Sequence, residues 1–250
     1  MRALRHLLDI LETAVVALLF TALLLGSTVG LVAAPGVTSA LIRANRTWVY
    51  TGLSATETIR LADGVRSWVS SRPEDTEPAA RRAMESFLPG EVSHLADVRT
   101  VMNGARTATG IAAAILALWL VACLVFRRWA RLRAGIAAGG LTAIGLVAVV
   151  GAAAFFDFSS AFSAFHGLFF KAGTWEFAPD SLLIRVFPGS FWASAGALWG
   201  ALTAAGGLAL FVASRFLPRD DKEAQGVSDE REAYRKQAAA EAGASASGER

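Results

Sequence analysis

The sequence is poor in the residues that usually carry chemistry. Its 250 residues include three histidines and one cysteine, and only 18% are charged. The single cysteine, Cys123, lies in an apolar run, which excludes a disulfide framework within one chain and a Cys-rich metal site. A soluble domain carries about 25% charged residues. Here 54% of residues are hydrophobic and the mean hydropathy is +0.45, so the apolar surplus has to be hidden from water, and lipid is where it fits. The net charge of +3 is small, with no basic stripe interleaved with polar readers, so nucleic acid is not an expected partner. The sequence has no H-E-x-x-H spacing, G-x-S-x-G elbow, P-loop, dinucleotide fingerprint or internal repeat.

What is present is four long apolar runs: Leu11–Ala34, Ala108–Phe126, Ile136–Phe156 and Phe191–Leu217. About 20 helical residues cross a bilayer. The first run follows Arg2 and Arg5 and ends near "VAAP", as a secretory leader might, yet it exceeds the roughly 7–15 apolar residues of one and reads as an uncleaved span. The link 127–135 holds "RRWARLR", with four arginines in seven residues, and short basic loops stay cytoplasmic. Residues 1–10 and the polar tail 218–250 fall on the same side. Segments 35–107 and 157–190 fall outside. The expected fold is all-α: a polytopic membrane protein with four transmembrane helices and a small helical extracytoplasmic cap. The tail is Ala/Glu/Ser/Gly-rich and reads as disordered, with at most a short helix at Asp229–Ala240.

Two amphipathic stripes mark the outer segment 35–107. Leu61, Val65, Trp68 and Val69 form one, and Ala80, Met84, Phe87 and Leu88 the other. The turn "SRPEDTEP" separates them. They predict a helical cap that packs on itself, or a face lying on the membrane or over a substrate groove. Gly135/Gly139 and Gly196/Gly200 have the spacing of close helix packing.

His6 flanks the first run and reads as a solvated residue. His94 lies in "EVSHLADVR", before the second run. A helix starting near Ser93 puts His94 and Asp97 on one face, with Glu91 a turn away. A carboxylate beside an imidazole fixes its tautomer and raises its basicity; a surface His–Asp pair at a helix start has the same spacing. His166 sits among phenylalanines, and ten of the fifteen in the chain fall between Phe155 and Phe191. Phe158, Phe162, Phe165 and Phe169 mark one face of a short helix suited to the acyl–headgroup boundary. The topology puts both histidines at the outer face. Two histidines with Glu91 or Asp97 would also suit zinc, and Ser93, Ser159, Ser160 and Ser163 are available hydroxyls, but no motif spacing supports either use.

Two stretches in this setting resemble a known family. One is Glu91, His94, Leu95, Asp97 and Val98 before the second span. The other is Phe165, His166, Leu168, Phe169, Phe170, Trp175, Pro179, Asp180, Leu183, Ile184, Phe187 and Pro188 between the third and fourth. With the four-span layout, over roughly Leu11 to Leu217, the sequence resembles the bacterial lipoprotein intramolecular transacylases. That resemblance implies an enzyme of the bacterial cytoplasmic membrane with both termini cytoplasmic, acting on a diacylated lipoprotein amid membrane lipid. The reaction moves the sn-2 acyl chain of the diacylglyceryl group to the α-amino group of the same cysteine, with no cofactor and no metal. His94 and His166 would be catalytic and Asp97 and Glu91 supporting, with Phe162, Phe165, Phe169, Phe170 and Trp175 holding substrate. Two other readings compete. A lipid esterase or metal-assisted hydrolase would use water at the same site, and a non-enzymatic lipid- or partner-binding protein would leave the two histidines far apart.

Overall fold

The computed structural model describes residues 2–218, without the side chains of Arg2 and Arg5. The tail beyond Pro218, with its expected short helix at Asp229–Ala240, lies outside the described residues. The elements in order are α1 (Arg2–Val32), α2 (Pro35–Asn45), α3 (Trp48–Thr51), α4 (Ala55–Ser70), α5 (Pro78–Met84), α6 (Pro89–Val125), α7 (Trp129–Phe156), α8 (Phe158–Phe169), α9 (Leu182–Val186) and α10 (Gly189–Phe216). No strand occurs among the described residues. The helices α1, α6, α7 and α10 are long and apolar enough to cross a membrane, with mean hydropathies of 2.4, 2.4, 2.1 and 1.7.

Three of these helices outrun the apolar runs that announce them. At 1.5 Å per residue, the 37 residues of α6 span roughly 55 Å, well beyond a hydrocarbon core of about 30 Å. The helix starts at Pro89, earlier than Ser93, and its first five turns carry Glu91, Asp97, Arg99 and Arg106. The helix α1 begins at Arg2, and α7 begins at Trp129, so much of the basic link is helical. Arginine is a good helix former and tolerates the first turns of a span.

Across the bundle, α7 packs between α1 and α10. A Cβ on Gly135 would meet Trp119 and Val16 at 2.7–2.8 Å, and one on Gly139 would collide with Phe20. Between α7 and α10 the backbones themselves meet, and a Cβ on Gly140 would run into the Gly207 carbonyl. The pair Gly196/Gly200 does not serve this purpose. Nothing lies within 4 Å of a Cβ at Gly196, and only Val147 at 3.3 Å approaches one at Gly200. Polar links inside the bundle are few and short, such as Thr28 Oγ1 with Thr203 Oγ1 at 2.8 Å.

The outer segment folds as a cap with its own core. Leu41 and Ile42 from α2, Ala62 and Val65 from α4, Met84 and Phe87 pack with Leu95, Leu183, Val186, Phe187, Phe191 and Ala195. The expected α4 stripe lies on this core. The second stripe does so as far as Phe87, while Leu88 is 65% exposed. Ser54 and Glu57 form a capping box at the start of α4. Its far end is held by Arg99 Nε, which donates to the Ser71 carbonyl at 2.9 Å with the guanidinium 4.6 Å from the Trp68 ring. The cap thus rests on α6, α9 and the start of α10, the elements that carry or support the histidines.

Candidate active site

His94 lies in the second turn of α6, five residues after the Pro89 that starts it. His166 lies on α8, which begins where Asp157 breaks the span: Asp157 closes α7 in an extended conformation (φ −150°, ψ 91°) and opens α8 by accepting from Ser160 N at 3.0 Å. Hydrogen bonds from the Ser160 hydroxyl and backbone hold the Asp157 carboxyl below its usual range. The two imidazoles meet at the end of the bundle opposite the arginine-rich link, with ring centroids 6.1 Å apart and planes inclined by 31°. The non-enzymatic reading required histidines far apart; these lie side by side.

His166 has a defined tautomer. Its Nδ1 is 2.8 Å from the carbonyl oxygen of Phe162 one turn back, and a carbonyl only accepts, so Nδ1 carries the proton. The lone pair is left on Nε2. The helix α8 lies outside the membrane-spanning segments. Burial lowers the His166 pKa from its ordinary value, opposed by the Phe162 hydrogen bond. The ring is therefore neutral at neutral pH, with Nε2 free to accept.

Aromatic rings surround the pair. Trp175 lies 4.7 Å from His166 at 32°, Phe162 at 4.0 Å, Phe165 at 5.5 Å and Phe170 at 5.6 Å. Phe170 and Phe177 pack on His94 at 4.9 and 5.7 Å. Phe177 had no place among the expected residues, and only the regional density of phenylalanine pointed to it. Phe169 contacts Phe165 and Phe170 rather than a histidine. With Phe165 and Leu168 it forms an apolar face of α8, these three being 50–79% exposed, as a helix against acyl chains requires. The chain returns to Trp175 through Gly173, whose φ of +80° favours glycine.

The two carboxylates near His94 part company. Asp97 is exposed and makes no hydrogen bond to His94, whose Nδ1 is buried without a partner. Glu91 is 1% exposed and fully engaged. One oxygen accepts from Leu88 N at 2.8 Å, at the start of α6, and the other from Leu183 N at 2.9 Å, at the start of α9. Two helix N-termini thus share one buried carboxyl group, and the segment after Trp175 is tied to the turn before His94. Both Glu91 oxygens face backbone N–H groups, and no cluster of three His, Cys, Asp or Glu suited to a metal occurs among the described residues. His6 and Ser93 are exposed, and Ser159, Ser160 and Ser163 are exposed on α8.

A second unpartnered nitrogen lies in the same aromatic cluster. The indole Nε1 of Trp175 is buried with no hydrogen-bond partner. A buried donor left unmade costs roughly 1–3 kcal/mol. Two such nitrogens in one aromatic cluster mark a place where a polar group of a ligand fits.

The family model described as "Lipoprotein intramolecular transacylase Lit" matches residues 13–192. No curated protein matches the chain in sequence. Among solved structures, the fold is similar to that of the membrane-integral lipoprotein intramolecular transacylase Lit from Bacillus cereus, with a TM-score of 0.72 at 16% identity, covering 84% of this chain and 95% of that one. Two structures of the same Bacillus protein with a histidine replaced by arginine or by alanine match with a TM-score of 0.67 at 16% and 17% identity, covering 86% of this chain and 93% and 96% of theirs. With four apolar helices, an aromatic site at one end of the bundle and a family match over most of its length, the chain belongs to the lipoprotein intramolecular transacylases, enzymes integral to the membrane.

Proposed function

We propose that the protein moves the sn-2 acyl chain of a diacylglyceryl-cysteine lipoprotein to the α-amino group of that cysteine, using His166 and His94 as an acid–base pair. The observation that carries this reading is the 6.1 Å approach of two imidazoles delivered by separate helices. An α-amine has a reference pKa near 8 and attacks only when neutral. As its nitrogen adds to the ester carbonyl carbon, Nε2 of His166 takes the amine proton. When the tetrahedral intermediate collapses, the C–O bond to the glyceryl oxygen breaks and that oxygen takes a proton from His94. The other nitrogen of His94 accepts the proton held by His166. One ester is exchanged for one amide, one glyceryl hydroxyl is freed, and both rings return to neutrality. No external nucleophile is needed, because the substrate carries its own.

The Asp97 charge, which alone favoured His94 as base, has no hydrogen bond to it, while the fixed tautomer of His166 favours His166 instead. The arginines 127, 128, 131 and 133 support the bacterial cytoplasmic membrane as the location, with both termini cytoplasmic and the histidines at the outer leaflet. There the acyl chains stay in lipid beside Phe165 and Phe169, while the cysteine reaches water.

The test is mass spectrometry of the N-terminus of a co-expressed lipoprotein, read as the ratio of N-acyl to diacylglyceryl cysteine. His94→Ala and His166→Ala should each lower the rate by about 10²–10⁴-fold, at matched expression and membrane extraction. A double variant with full activity would eliminate the mechanism, and free fatty acid in place of N-acyl product would favour a hydrolase.

A further inference from the structure

The acid–base pair leaves one part of the reaction without a partner. As the amine adds to the ester, the carbonyl oxygen becomes an oxyanion, and the three histidine nitrogens that move protons are committed elsewhere. The indole of Trp175 stacks at 4.7 Å on His166. Its Nε1 is buried and has no acceptor in the protein. Tryptophan has one donor and no acceptor, so a buried indole N–H needs an oxygen from somewhere. Its other neighbour, Phe162 at 6.4 Å, offers none from its ring. The segment that carries Trp175 is held from both sides: α8 ends with Phe170 N donating to the His166 carbonyl at 2.8 Å, and α9 is tied to Glu91. The indole itself packs against His166 and Phe162, and a donor already in place does not have to reorganise when charge develops.

We propose that the Trp175 N–H is the oxyanion donor of the acyl shift. It receives the ester carbonyl oxygen of the scissile chain on binding and shortens onto it as the C–N bond forms. The indole keeps its proton throughout; the proton released by nitrogen still ends on the glyceryl oxygen. Trp175 is then a catalytic residue rather than only a wall of the acyl site. The inference rests on the transacylase reading and adds to it the group that receives the carbonyl.

The experiment compares Trp175→Phe with replacement of Trp175 by β-(3-benzothienyl)alanine, which keeps the bicyclic shape and exchanges the N–H for sulfur. Both are assayed as purified full-length protein in lipid vesicles with a diacylglyceryl-cysteine peptide. Each should lower kcat by about 10²–10³-fold, the usual effect of losing one oxyanion donor, with KM nearly unchanged. The pH profile should keep its shape, because an indole does not titrate. Parent-like kcat in the benzothienyl variant would overturn the proposal whatever Trp175→Phe does. A rise in KM alone, or a shifted pH profile, would also overturn it, the first assigning Trp175 to packing and the second to positioning His166. Failure of the histidine reading is separable: parent-like rates in His94→Ala and His166→Ala beside a slow benzothienyl variant would remove the acid–base pair and leave the donor.

Discussion

The two ends of the bundle each hold a tryptophan among titratable side chains, and the two clusters are built on opposite terms. At the Arg-rich end, Trp119 Nε1 donates to Glu12 Oε1 at 3.0 Å. Arg131 spans the same Glu12 at 2.5 Å and Asp9 at 2.6 Å, joining α7 to α1. Every polar group named there has a partner of opposite character, which is how a structural cluster closes. At the histidine end, Trp175 Nε1 and His94 Nδ1 are buried and unpartnered, and the one buried carboxylate is spent on backbone N–H groups. The unfilled hydrogen-bonding capacity beside the two imidazoles gives substrate atoms a place to bond.

This contrast orders the expected effects. His166→Ala should be the most damaging, removing about 10²–10⁴-fold of rate while changing thermal stability little, since the ring makes one hydrogen bond, to its own helix. Glu91→Gln comes next. An amide NH₂ would face a backbone N–H at Leu88 or Leu183, a loss of roughly 1–3 kcal/mol of stability. Displacement of α9 should slow the reaction by up to about 10²-fold. Thermal unfolding of the detergent-extracted protein and the initial rate measure the two parts.

The pH profile sharpens the assignment of the base. Burial lowers the His166 pKa, so the base stays neutral until the pH falls below the ordinary imidazole value of about 6.5. Activity should fall as pH drops through two limbs, one near 8 from the substrate amine and one below 6.5 from the enzyme. An enzyme limb above 6.5 would contradict His166 as the buried base. The smallest effect is expected for Asp97→Asn. The side chain is exposed and does not bond His94, so the change should stay within roughly 0.5 kcal/mol, about twofold in rate. Its i+3 spacing from His94 suggested a hydrogen-bonded pair, which the exposed side chain does not form.

The spans were legible because hydropathy over 18 or more residues is a strong signal, and the histidines because they are so few. Other features depended on rotation about a helix axis or on tertiary contact. Glu91 and Asp97 lie three residues before and after His94, and spacing cannot say which carboxylate turns inward. Burial against α9 decides it, and α9 is a five-residue helix with no periodicity to read. The helix α2 was hidden between a span and a loop, although Pro35 at its first position is a start signal. The early start of α6 was read only as far back as Ser93, although Pro89 at its first position is a start signal. The close α7–α10 crossing uses Gly140 and Gly207, which form no motif within either helix; of the spaced pair Gly196/Gly200, only Gly200 approaches α7, at Val147.

The central claim is that the histidine end performs the chemistry while the Arg-rich end only holds the bundle. The most direct measurement sets His166→Ala beside Glu12→Gln, both reconstituted in vesicles, with the initial rate of N-acyl product formation normalised to folded protein. Glu12→Gln weakens a cluster that is partly exposed, where such pairs contribute at most about 1 kcal/mol. The account predicts an unchanged normalised rate for Glu12→Gln and a loss of at least about 10²-fold for His166→Ala. Comparable rates for the two, or a larger loss in Glu12→Gln, would contradict it.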